Sequence, residues 1–173
     1  LEAFPKIKVA LFADEEIGCR GSARAKARFF RNVGYGIEFD SPGNNTMSYS
    51  NSGVKNFADN GAFINTALPA LDRYGITEWQ KHPYTDVLQL RKRFGFACLN
   101  LAAGYYRMHT PREYVVMDDV QNSILLGHEL ISSLGRKAYM ETVEQSSMFG
   151  GGGKNAKRPL SGCNFPDSPR IKA

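Results

Sequence analysis

Residues 94–102 (FGFACLNLA) are apolar at almost every position. A strand of that kind has no wet face, so it must be covered on both sides, and a sheet between layers of helices is the usual place for it. Residues 9–13 read the same way, and residues 35–39 give a further strand that breaks at Asp40, Ser41, Pro42 and Gly43. Helical spacing falls between these runs. Ser22 caps a helix to about residue 32 with Ala23, Ala27 and Phe30 inward, and Gly34 stops it. Asp59 caps another, reaching Tyr74 with Phe63, Ala67 and Leu71 inward, and Pro69 should kink or divide it. The third starts at Asp118, with Gln121 completing a capping box. Its Val120, Ile124, Ile131 and Leu134 recur at helical spacing, and Gly135 is its stop. Residues 44–56 read as a polar loop with one short exposed strand, and residues 82–86 (HPYTD) as a turn. Strand and helix in alternation predict an α/β fold with a mainly parallel sheet flanked by helices.

The 173 residues are enough for one domain with a core, assigned here to residues 1–140. Residues 141–173 lack periodicity, carry four consecutive glycines and end in a basic stretch with three prolines, which predicts a flexible or partner-bound tail. The glycine run is not a phosphate loop, since no GK[ST] follows it. The net charge of +5 gathers partly in residues 20–31 and in that tail rather than in a stripe interleaved with aromatics, which argues against nucleic acid as a partner. Three widely spaced cysteines, Cys19, Cys98 and Cys163, form neither a disulfide framework nor a CxxC pattern. No apolar run is long enough to span a membrane and no signal segment opens the chain, so a cytoplasmic or otherwise reducing compartment is expected.

The chemistry lies at the ends of the apolar runs. Glu15 and Glu16 are adjacent carboxylates before a glycine-bearing turn (IGCRG), Asp40 ends the next run, and His109 follows the third. Taken alone, each has an ordinary reading: a solvated turn, a turn-forming aspartate, a satisfied loop histidine. Together they are what a metallohydrolase needs, because one carboxylate can hold a metal while its neighbour takes a proton from the acidified water. His128, inside an amphipathic helix, and His82, before a proline in a turn, carry less weight.

Three segments then resemble, in order, the metal-site segments of the co-catalytic di-zinc exopeptidases, the clan of peptidase T and related aminopeptidases and carboxypeptidases. They are residues 9–21 (VALFADEEIGCRG), 34–42 (GYGIEFDSP) and 98–114 (CLNLAAGYYRMHTPREY). The resemblance implies that Glu15 is the general base, that Glu16 and His109 bind the second of two zinc ions, and that Asp40 binds the first. Thr85, Asp86 and Glu113 fall at positions that would support those ligands from behind.

The family also places a His-x-Asp segment and a bridging aspartate ahead of its Glu-Glu turn, and the fourteen residues before Glu15 contain no histidine. Two expectations follow. The chain carries the second part of a zinc-dependent exopeptidase that acts on a peptide substrate, its sheet incomplete at the amino terminus. Alternatively it is a shortened, non-catalytic relative acting as a structural or assembly protein. A one-metal hydrolase built on Glu16, His109 and an unusual third ligand is a further reading. In the first case the strand bearing Glu15 should show an unpaired edge, to be covered by another chain or a second copy.

Overall fold

The computed structural model of the protein describes residues 5–142, except Ser52 and Pro83. Seven strands and five helices are formed among them: α1 (Arg20–Ala23), α2 (Ala27–Phe30), β1 (Tyr35–Ser41), β2 (Thr46–Asn51), β3 (Val54–Lys55), α3 (Ala62–Arg73), β4 (Glu78–His82), α4 (Asp86–Phe94), β5 (Ala97–Ala102), β6 (Tyr105–Tyr106), β7 (Tyr114–Val115) and α5 (Met117–Leu134). The chain is α/β, as its alternation requires, but the sheet is mixed rather than mainly parallel. β1 runs parallel to β5, β5 antiparallel to β2, and β2 parallel to β4 and antiparallel to β3. The antiparallel step enters through β2, which the polar character of residues 44–56 hides. Its Thr46, Ser48 and Ser50 are buried, small enough to pack inside, and the Ser48 carbonyl accepts a bond from the Asn56 side-chain amide at 2.9 Å.

β5 is the strand its composition demands, with every residue buried. Ala97, Leu99 and Leu101 face one side, against Phe63, Ile64 and Leu71 of α3 and Leu126, Leu130 and Leu134 of α5. Phe96, which precedes the strand, and Cys98 face the other, against Val87 and Leu90 of α4 and Phe30 of α2. Each such aliphatic side chain contributes about 1.5–3 kcal/mol by leaving water. Pro69 sits within α3 without dividing it, on an exposed position where its ring meets solvent. In α5 the buried stripe is Leu126, Leu130 and Leu134, and Ile124, expected inward, is 66% exposed. No side-chain cap starts α5; Asp119 in its first turn instead accepts bonds from Asn44 at 2.9 Å and the Tyr106 hydroxyl at 2.6 Å.

Two expectations near the amino terminus are corrected. Residues 9–13 form no strand: Val9 is 74% and Leu11 93% exposed, and the segment pairs with no strand among the described residues. The helix expected from Ser22 is two separate turns, α1 and α2, with Ser22 buried inside the first rather than capping it.

Arg91 closes the structure from within. It is fully buried, and its guanidinium donates to the carbonyls of Lys55 (3.1 Å), Gly95 (2.6 Å), Glu141 (2.9 Å) and Thr142 (2.9 Å). The Glu141 carboxylate accepts from the Ala58 amide at 2.6 Å. Glu141 and Thr142 are thereby tied to the rest of the structure; the remainder of the expected tail, residues 143–173, lies outside the described residues. No helix among the described residues is long and apolar enough to cross a membrane.

Candidate functional site

The Glu15–Glu16 turn is held by its own backbone. The amides of Gly18 and Cys19 both donate to the Glu15 carbonyl, at 3.0 and 2.8 Å, and the Gly21 amide donates to Ala13 at 3.0 Å. Gly18 has φ +99°, a conformation that favours glycine. At Gly21 the need is space, since a Cβ there would lie 2.5 Å from the Ala13 carbonyl oxygen. The two carboxylates part at this turn. Glu15 accepts a bond from the Cys19 thiol at 3.5 Å, whereas Glu16 faces the hairpin β6–β7.

That hairpin presents His109 from a loop in which Arg107 and His109 both have left-handed backbone, φ 55° and 61°. Such residues are held by their surroundings, and they gather at functional sites. Here Glu113 accepts the His109 amide at 2.9 Å and Thr110 donates to the Arg107 carbonyl at 2.7 Å. His109 Nε2 ends 3.3 Å from a Glu16 carboxylate oxygen.

Asp40 comes from β1. The register against β5 slips between Phe39 and Ser41, so Asp40 is the extra residue of a bulge, a feature that re-aims a side chain. Buried Asn100 of β5 replaces the lost ladder bond by accepting the Asp40 amide at 3.1 Å. The Tyr105 hydroxyl donates to the Asp40 carbonyl at 3.2 Å.

Glu15, Glu16, Asp40, His109 and Glu113 line one cleft of about 530 Å³, together with His82, Tyr84, Tyr105 and Met108. Thr85 and Asp86 do not line it: Thr85 is fully buried just before α4 and Asp86 nearly so in its first turn. Asp86 acts there through its charge. Burial, then repulsion from Glu15 and more weakly from Glu16 and Asp86, lifts the Asp40 carboxyl to about 6, with His82 opposing the rise. Beneath it Glu38, on the same strand, is pushed up to about 8 by burial and then by Asp40 and Asp86. Cys19 is raised to about 12 by burial and by Glu15, so it is a packed thiol rather than a nucleophile.

Sequence reasoning missed one of these groups, Glu38, and set another, His82, aside as a turn residue. Glu38 carries a legible signal, being two residues from Asp40 on one strand and so on the same face. His82 carries none beyond the scarcity of histidine, because its position depends on β4, which the sequence reading left unassigned.

One separation is compatible with zinc as well as with an ordinary ion pair. A tetrahedral ion with bonds of about 2 Å sets two ligands about 3.3 Å apart, which is the separation of Glu16 and His109. Among the described residues no third His, Cys, Asp or Glu joins them closely enough to complete a metal-holding group. No protein-family profile, curated protein or solved structure matches the chain.

Proposed function

We propose that this chain carries part of the active centre of a zinc-dependent exopeptidase of the aminopeptidase type, hydrolysing peptide or amide bonds. The observation that carries the reading is the Glu16–His109 pair at 3.3 Å within a cleft that also holds Glu15 and Asp40. Glu16 and His109 would hold one zinc ion and Asp40 contribute to a second, with remaining ligands from outside the described residues. Zinc bound there supplies Lewis acidity and a water acidified toward a pKa of about 7. Glu15, turned away from Glu16, takes the proton of the attacking water and returns it to the leaving amine. Glu113 keeps His109 aimed by holding its amide. Acidic groups crowd the same place: burial first, and then Glu15 for Asp40 and Asp40 for Glu38, raises both carboxyls, an environment that a bound cation would relieve.

The resemblance of residues 9–21, 34–42 and 98–114 to the di-zinc exopeptidases adds the reaction class. The test is zinc affinity in three variants. Glu16→Gln and His109→Gln should each weaken zinc at least ~10-fold, while Glu15→Gln leaves it within about twofold. In the assembly isolated from its natural source, Glu15→Gln should cut zinc-dependent hydrolysis of amino-acid amides and short peptides by at least ~10²-fold. Zinc affinity indifferent to both Glu16 and His109 would mark the pair as a surface ion pair and end the proposal.

A further inference from the structure

We infer that Asn100 is the positioning residue for Asp40: its side-chain amide holds the β1 bulge in place and so presents the Asp40 carboxylate to the cleft. This inference rests on the metallohydrolase reading above, in which Asp40 binds a metal ion, and adds a residue to which the exopeptidase resemblance gives no role. β5 is otherwise built of Ala, Cys and Leu, and Asn100 lies among them with 0% exposure. Side chains alternate along a strand, so Asn100 stands with Cys98 on the α4 side of the sheet. Its register partner in β1 is Glu38, and Asp40 comes two residues further along that strand. The amide reaches that far: the Asp40 N–H donates to Asn100 Oδ1 at 3.1 Å.

Asp40 is also the residue at which the register slips, Phe39 pairing with Leu101 and Ser41 with Ala102. A side chain of β5 thus holds the one β1 residue that the ladder leaves out. The Tyr105 hydroxyl holds the other backbone group of Asp40, donating to its carbonyl at 3.2 Å. Stability does not account for the amide. With Oδ1 turned to Asp40, Nδ2 is buried and has no hydrogen-bond partner among the described residues. Burying an amide half paired costs stability, and a branched apolar side chain would suit a strand covered on both faces. What asparagine supplies and valine does not is an acceptor for the Asp40 amide.

Two measurements test this. In the unsubstituted full chain, a scalar coupling across the hydrogen bond should connect the Asp40 amide nitrogen to the Asn100 side-chain carbonyl carbon. Its absence, with the ladder couplings between β1 and β5 present, would overturn the inference, and this measurement stands if Asn100→Val fails to fold. Asn100→Val should keep its denaturant midpoint in chelator. In the assembly isolated from its natural source, the same variant should weaken one bound zinc ion ~10-fold or more and spare the ion that His109→Gln weakens. Both ions bound as before in Asn100→Val would overturn the inference and leave the Glu16–His109 reading standing. Both ions weakened alike, with a lowered midpoint, would mark a general structural role and overturn it too. Zinc binding indifferent to His109 as well as to Asn100 would overturn both the inference and the reading beneath it.

Discussion

Glu15 and Glu16 share a peptide bond yet meet different neighbours, a buried thiol on one side and an imidazole on the other. The difference is one of position rather than of chemistry. The carboxylates around them carry a consequence for acid and base. Asp40 is raised from 3.8 to about 6 and Glu38 from 4.5 to about 8, in both cases chiefly by burial. Between those limits the folded protein holds protons that the unfolded chain releases, so stability falls as pH rises. In chelator, the thermal midpoint should therefore drop from pH 5 to pH 8, and Glu38→Gln should flatten the upper part of the slope. Zinc bound in the cleft should offset the drop, because its charge favours the ionised carboxylates. A midpoint that climbs over this range would mean that neither carboxyl is raised.

At the scale of elements, β5 and the pair of helices α3 and α5 were legible because an all-apolar run and a 3.6-residue period leave few alternatives. β2 was not, since its Thr46, Ser48 and Ser50 look solvated until their burial is seen. Residues 9–13 failed in the opposite sense: their apolar character suggests a covered strand, yet Val9 and Leu11 stand exposed and unpaired with any described strand. The site was legible in part, because Glu16 and His109 sit in loops, and Asp40 at a strand end, whose local sequence is distinctive, while His82 depends on a strand that gives no local sign. The glycine-bearing turn allows a direct comparison. Gly21→Ala forces a Cβ to within 2.5 Å of the Ala13 carbonyl, whereas Gly18→Ala meets nothing within 4 Å and strains only its φ of +99°. Gly21→Ala should cost about 1–3 kcal/mol and loosen zinc as the Glu16 turn shifts. Gly18→Ala should cost about 1 kcal/mol. Denaturant midpoints rank the two, and equal costs would show that the turn opens freely.

For the whole molecule, β1 is hydrogen-bonded along one edge only among the described residues, and Ile7, Val9 and Leu11 stand exposed in the segment that leads to the Glu15 turn. Open edges and exposed apolar runs are where chains associate. The chain should therefore sediment as a complex or oligomer, and Val9→Ser with Leu11→Ser should shift it toward monomer with its circular dichroism unchanged. A monomer at micromolar concentration before substitution would refute this. At the other end, Arg91 bears on synthesis. Its charge is permanent, and two of its four carbonyl partners belong to Glu141 and Thr142. While the chain is still emerging from the ribosome, everything up to Met140 can be present and yet leave a buried cation half solvated, at a cost of about 3–5 kcal/mol. A chain stopped at Met140 should be cleared by cellular proteases faster than the full-length chain, because its Arg91 guanidinium lacks the Glu141 and Thr142 carbonyls.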